Sequence, residues 1–360
     1  MHSARIAEGK IDREEVYRSG ARRVFSSSRA DLYPSHLPSG TMVKSLLTSV
    51  LLSGSLAFSA LAAGPFPGQI KNLVTFGDSY TDVDGHADGG IVWPVYAAQD
   101  GHFKLFPFAK SGATCSNNLT NRPFPSVFES QLPLFFTEKA NGSLKLNPED
   151  TIYTLWIGTN DVGAGALLTG SQTPGVSIVD TVTCAVNWVK VMYAAGARNF
   201  IFQNMIPLEH SPLYSANSWP NRYWTGPRNT TEWSVFMAEL TKSGNAIADG
   251  LLRALTPKLH GAHLGLFDSH GLFTDMLTRP QLYLNGTAPL NVTGAVHACV
   301  FQEGESTSDP GVCTDATGTD RDSFLWFDEL HPSEQADRKL AEIMTATIQR
   351  KSEEWITWLS

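Results

Sequence analysis

Residues scattered along the chain could meet in one reaction: Ser79 in FGDSYTD, Gly112 in AKSGATC, Asn160 in WIGTNDVG, and Asp328 with His331 in FDELHP. Acyl transfer to a serine needs a nucleophile, a base to take its proton, a group that orients the base, and donors for the oxyanion that develops on the carbonyl. Ser79 offers a hydroxyl and its own backbone N–H. Gly112 has no Cβ to keep a substrate oxygen away from its N–H. Asn160 can donate from an uncharged side-chain amide. A histidine is the side chain type that titrates near neutral pH without special help, and a nearby carboxylate such as Asp328 could orient the His331 ring and support its charged form.

Each of these residues also has a plain structural reading. Gly-Asp-Ser is a common exit from a strand, a lone glycine marks a turn, and Asn160-Asp161 or Asp328 with His331 could serve as helix caps. There is a rival base as well. Asp268 and His270 in GLFDSHGLF lie two residues apart and would share a face if the strand continued through Ser269.

The elements that must position these groups decide between the readings. Short apolar, β-rich runs recur as NLVTFG, KLFPFA, TIYTLWIG, NFIFQNMI and HLGLFD, and helical patterns lie between several of them. In the span 178–196, Ile178, Val182, Ala185, Val189 and Met192 line one side and Gly196 ends the pattern; a second helix is predicted over 231–255. A last helix, with Pro332 in its first turn and Glu334 at its positive end, buries Leu340, Ile343, Met344 and Ile348 and carries His331 at its entrance. Continuous apolar strands alternating with helices predict a parallel sheet covered on both faces. Reactive groups of such sheets collect at the carboxyl ends of the strands, just where Ser79, Ser111 and Asn160 fall.

In this order and spacing, FGDSYTD, Gly112, GTND and DELH resemble the four blocks of the GDSL-type, or SGNH, esterases and lipases, over nearly the whole chain from residue 72 to the last helix. The resemblance implies a three-layer α/β/α, flavodoxin-like fold with a central parallel sheet. It also implies a triad of Ser79, Asp328 and His331, with an oxyanion hole of Ser79, Gly112 and Asn160. One departure is Tyr80, where the family's name-giving motif has leucine. With FGDSYTD, WIGTND and FDELHPSEQ together, the chain is most similar to secreted fungal acetylesterases of carbohydrate esterase family sixteen. That likeness implies hydrolysis of short acyl esters, acetyl above all, of plant cell-wall carbohydrates through an acyl-enzyme. The alternatives are a lipase or phospholipase acting on longer chains, and a non-catalytic extracellular carbohydrate-binding glycoprotein. Trp93, Trp156 and Trp326, near the blocks, are candidates for a substrate-facing wall, although such residues are more often core.

The remaining features concern compartment and partners. Residues 1–41 are polar and Arg/Ser-rich without an apolar face, and read as a non-structural extension. Residues 42–63 begin with Met42 and Lys44, continue through an apolar stretch diluted by serines, and end in Ala-Leu-Ala-Ala, which is the pattern of a secretory signal rather than a membrane span. Residues 64–360 are then expected to form one catalytic domain. Sequons at Asn118, Asn141, Asn229, Asn285 and Asn291 point to a glycoprotein. The cysteines Cys115, Cys184, Cys299 and Cys313 are even in number and lack metal-type spacing. Cys299 with Cys313, across a short polar loop, is the preferred disulfide, leaving Cys115 for Cys184; alternatively Cys184 is merely a small buried helix residue. A net charge of -8, with no basic stripe, argues against nucleic acid. Scattered histidines suggest no metal or cofactor, and with no surplus apolar stripe a secreted monomer without stable membrane association is expected.

Overall fold

In the computed structural model the described residues are 64–85 and 89–360; the N-terminal extension and the signal segment expected from the sequence lie outside them. The first apolar run forms β1 (Asn72–Gly77), and the next four become β2 (Lys104–Pro107), β3 (Thr151–Trp156), β4 (Asn199–Gln203) and β5 (His263–Phe267). These strands are mutually parallel where they pair. Apart from the half-exposed edge strand β2, they are buried at most positions because neighbouring residues feed opposite cores. Leu73, Ile152 and Ile201 enter one cluster, while their neighbours Val74, Tyr153 and Phe200 enter the other.

The helices complete three layers. α1 (Trp93–Gly101), α6 (Ser269–Thr278) and α7 (Glu334–Ile348) contribute Trp93, Phe273 and Leu340 to the first cluster. α2 (Leu132–Ala140), α4 (Ile178–Ala194) and α5 (Thr230–Leu255) contribute Phe135, Trp188 and Leu252 to the second. A short helix, α3 (Thr159–Val162), follows β3 directly. The smaller strands β6 (Asn291–Ala295), β7 (His297–Val300), β8 (Val312–Asp315) and β9 (Phe324–Trp326) make two ribbons outside the main sheet. The last strand, β10 (Ile356–Trp358), pairs with β5 and gives the sheet order β10-β5-β4-β3-β1-β2.

Two details differ from the sequence reading. β10 runs antiparallel to β5, so the expected parallel sheet has one antiparallel edge. Three residues are too few for alternation to reveal such a strand. The entrance of α7 is also shifted, because Ser333 is the N-cap and Pro332 precedes it. The Ser333 hydroxyl accepts from the Ala336 N–H at 3.2 Å and donates to the Phe324 carbonyl at 2.6 Å, ending the loop that carries His331.

Disulfides join Cys115 to Cys184 and Cys299 to Cys313. The first ties the loop that follows Gly112 to α4, so Cys184 is a cross-link as well as a helix residue. The second closes the β7–β8 hairpin. That hairpin reaches the DELH loop through the Cys299 N–H, which donates to the buried Glu329 carboxylate at 2.6 Å.

Candidate active site

β1 ends in a turn that its glycine makes possible. Gly77 has φ of 149°, and a Cβ there would lie 2.3 Å from the Trp156 carbonyl oxygen of the adjacent strand. Both backbone groups of Gly77 are held by Gln131, whose Oε1 accepts at 3.1 Å and whose Nε2 donates at 2.8 Å. The buried amide thus replaces the ladder partners lost where the chain leaves the sheet. Ser79 follows two residues later, only 6% exposed.

The Ser79 hydroxyl lies 2.9 Å from His331 Nε2. On the other side of the ring, His331 Nδ1 is 3.0 and 3.1 Å from the two Asp328 oxygens. Asp328 is fixed in turn: its Oδ1 accepts the backbone N–H groups of Leu330 and His331, each at 2.8 Å. Because Asp328 as a carboxylate can only accept, the Nδ1 of His331 carries the proton, which leaves Nε2 to accept from Ser79. Burial pushes the Asp328 carboxyl up, but the charge and hydrogen bonds of His331 and the hydroxyl of Tyr223 outweigh it and hold the group below the usual range. Asp328 therefore stays ionised at neutral pH.

Tyr223 was not visible as a site residue in the sequence. Its hydroxyl donates to Asp328 Oδ2 at 2.6 Å and lies 3.0 Å from His331 Nδ1. Burial and the neighbouring Asp328 charge raise its own pKa well above normal, so it remains a donor. Tyr80 has a related supporting role, since its hydroxyl donates to the Leu330 carbonyl at 3.0 Å inside the DELH loop. A leucine at that position could not make this bond.

The residues expected from the sequence to donate to an oxyanion come from three separate turns. Asp82 Oδ2 accepts the Ser111 N–H at 2.7 Å and its hydroxyl at 2.8 Å, fixing the turn into Gly112. Gly112 has φ of 77°, and a Cβ there would meet the Phe124 ring at 2.5 Å. Among the described residues, no acceptor engages the N–H of Ser79 or of Gly112. Ser79 is buried and Gly112 half-buried, and backbone donors left without a protein acceptor are suited to an incoming anion. Asn160, at the start of α3, donates one amide hydrogen to the Ala113 carbonyl at 2.9 Å, and its Oδ1 accepts from Arg122.

Other residues singled out in the sequence fall elsewhere. Trp93, Trp156 and Trp326 are 0, 2 and 0% exposed, which corrects their placement on a substrate wall. Their ring N–H groups donate to Thr81 Oγ1, the Asn204 carbonyl and the Val292 carbonyl, so these indoles are satisfied core side chains. Asp268 is the N-cap of α6, accepting from the Gly271 N–H, and the His270 ring faces the Met205 carbonyl rather than Ser79.

Two further carboxyls lie beneath the site. Asp78 and Asp161 are fully buried, and desolvation pushes each from 3.8 up to about 7; hydrogen bonds and the charge of Arg122 oppose it only in part, and at Asp78 the charge of Asp161 adds to it. The native state binds these protons more tightly than the unfolded chain does. Their stabilising contribution is therefore complete below about pH 4 and is lost as pH rises through about 7. Asp78→Asn should abolish its share of that loss, up to about 4 kcal/mol. Thermal unfolding from pH 4 to 8 checks this: the variant should gain on the parent toward pH 8, and parallel curves would contradict the assignment.

Comparison with known proteins bears on the whole arrangement. Residues 73–344 match the family described as GDSL-like Lipase/Acylhydrolase. The chain is 31% identical over 333 residues to an acetylesterase of Hypocrea jecorina, spanning 80% of this chain and 92% of that one. It is 24% identical over 305 residues to an acetylesterase of Thermothelomyces thermophilus, spanning 76% and 86%. Among solved structures it is similar to a catalytic mutant of an acetylxylan esterase from Geobacillus stearothermophilus. That likeness has 14% identity and a TM-score of 0.40, over 79% of this chain and 95% of the other.

Proposed function

The chain belongs to the GDSL-like lipase/acylhydrolase family of carboxylic ester hydrolases, and from that premise we propose that it removes acetyl or similarly short acyl groups from plant cell-wall carbohydrates. The observation that carries the mechanism is the line from the Ser79 hydroxyl to His331 Nε2 at 2.9 Å, continued from Nδ1 to Asp328 at 3.0 Å. Ser79 Oγ attacks the ester carbonyl while His331 takes its proton. The oxyanion is received by the N–H groups of Ser79 and Gly112 and by the second amide hydrogen of Asn160. Collapse expels the sugar oxygen, which His331 protonates, and leaves the acyl group on Ser79. Water, deprotonated by His331, then attacks the acyl-enzyme and releases the carboxylic acid.

The acetyl preference draws its support from the two fungal acetylesterases that the chain resembles. Initial rates on acetyl and long-chain nitrophenyl esters and on acetylated xylo-oligosaccharides test it. Falling kcat/KM with chain length is expected, and preference for long chains would move the protein to lipid substrates. Labelling of Ser79 by a fluorophosphonate tests the chemistry separately. A folded protein that stays unlabelled would instead be a carbohydrate-binding glycoprotein.

Secretion and glycosylation belong to the same reading. The disulfides suit an oxidising compartment, and among the described residues no helix is long and apolar enough to cross a membrane. Asn118, Asn141, Asn229 and Asn285 are exposed, whereas Asn291 is half-buried. The first four are the better glycan acceptors. Expression from Met42 should give a glycosylated monomer starting near Ala63 or Gly64, read by N-terminal sequencing.

A further inference from the structure

Asn160 has one amide oxygen and two amide hydrogens, and its environment accounts for all but one of them. A guanidinium has donors and no acceptor, so the Asn160 atom facing Arg122 must be the oxygen. A backbone carbonyl only accepts, so the atom facing Ala113 at 2.9 Å must be the nitrogen. The two neighbours independently specify the same orientation of the amide. The remaining hydrogen is left for a ligand, beside the N–H of Gly112, the residue just before Ala113.

The loop that brings Arg122 to this place is built for it. Asp161, next to Asn160, accepts from the Cys115 N–H at 3.0 Å and from the Thr120 hydroxyl at 2.8 Å. Thr114 donates to the Thr120 carbonyl at 3.2 Å, and Asn117 Nδ2 to the Phe124 carbonyl at 3.0 Å. Cys115 is covalently tied to α4. The segment is thus pinned on both sides of Arg122, whose second nitrogen also reaches the Ala164 carbonyl at 3.4 Å. No exposed ion pair explains this arrangement: among the described residues, no carboxylate forms a salt bridge with Arg122.

We propose that Arg122 is a positioning residue of the oxyanion hole, acting through Asn160. By holding the amide oxygen, the guanidinium locks the side chain with its free N–H toward the carbonyl being attacked. Its charge also polarises the amide, so that the same N–H becomes a stronger donor as the oxyanion forms. The benefit is confined to the transition state, so it appears in kcat rather than KM.

This rests on Asn160 as an oxyanion donor, which Asn160→Ala tests by itself with an expected loss of about 10²- to 10³-fold in kcat. Arg122→Ala should lower kcat about 10- to 50-fold on a nitrophenyl acetate with KM within about threefold. The two changes combined should be no worse than Asn160→Ala alone, because Arg122 then has nothing to act through. Guanidinium ion at sub-denaturing concentration should restore part of the rate of Arg122→Ala but none in the double variant. If the alanine variant does not fold, Arg122→Gln, which keeps a donor without the charge, should show a smaller loss, again in kcat. Multiplying losses in the double variant, or unchanged kcat in Arg122→Ala beside a crippled Asn160→Ala, would overturn the role of Arg122 alone. An unaffected Asn160→Ala would overturn both it and the oxyanion reading.

Discussion

Alanine at position 331 should lower kcat/KM by at least about 10⁴-fold near neutral pH, while alanine at position 270 should leave it within about threefold. Both histidines follow an aspartate by two or three residues, so the sequence alone allows either to be the base. The structure gives them opposite surroundings. His331 is 5% exposed, with Nε2 on the Ser79 hydroxyl and Nδ1 on Asp328. Removing the ring leaves the serine proton without an acceptor and a buried carboxylate without its main partner. His270 lies inside the first turn of α6, its backbone N–H donating to Asn204 Oδ1 at 2.8 Å. Asp268 spends its carboxylate on capping, taking the Gly271 N–H and the Asn204 amide, each at 2.9 Å. Loss of the His270 ring removes one weak contact to the Met205 carbonyl at 3.3 Å, and about 1 kcal/mol of stability is the expected cost. Steady-state rates with matched thermal melts decide the matter. A His270→Ala enzyme as impaired as His331→Ala would remove His331 as the base.

The legibility of this site in the sequence depended on where each residue sat. Ser79 and Asn160 follow β1 and β3, which are buried on both faces of the sheet, whereas Gly112 follows the half-exposed edge strand β2. The end of a buried strand is then fixed to within a residue or two, and in open α/β sheets groups just beyond the carboxyl ends of the strands gather in one crevice. His331 stands before a helix with a strong stripe, which likewise fixes its place. Tyr223 and Arg122 had no such signal. They lie in irregular segments, and their partners Asp328 and Asn160 are 105 and 38 residues away. Nothing local in a tyrosine or an arginine of a loop announces a contact of that kind. The tryptophans failed for a different reason: proximity in sequence to a catalytic block says little about which layer a side chain enters. Trp93 opens α1, while Trp156 and Trp326 end strands, and all three face the core beneath the crevice rather than the crevice itself.

Asp328→Asn should be nearly as damaging as loss of the base, about 10⁴-fold in kcat, although it changes one atom. Asp328 Oδ1 accepts two backbone N–H groups at 2.8 Å, so an asparagine must place its carbonyl oxygen there. Its NH₂ then occupies the position of Oδ2, facing the Tyr223 hydroxyl and His331 Nδ1. Tyr223 can turn from donor to acceptor and tolerate the exchange. His331 cannot do so without consequence. With a donor against Nδ1, the neutral ring keeps its proton on Nε2, and that nitrogen points at the Ser79 hydroxyl and can no longer accept from it. The fold should survive, because the Leu330 and His331 N–H groups keep their acceptor and the bonds at the Oδ2 position are reversed rather than lost; only the Nδ1 contact with Oδ1 at 3.0 Å is given up. Tyr223→Phe is a milder perturbation: it removes one donor from Oδ2 while Asp328 and the tautomer remain, so a loss of about 1 kcal/mol, or roughly fivefold, is expected. Nitrogen chemical shifts of the His331 ring give the direct reading, with the proton on Nδ1 in the parent and in Tyr223→Phe and on Nε2 in Asp328→Asn. If Asp328→Asn kept kcat within tenfold, or if its ring still carried the proton on Nδ1, orientation of the base by Asp328 would not be what makes Ser79 a nucleophile.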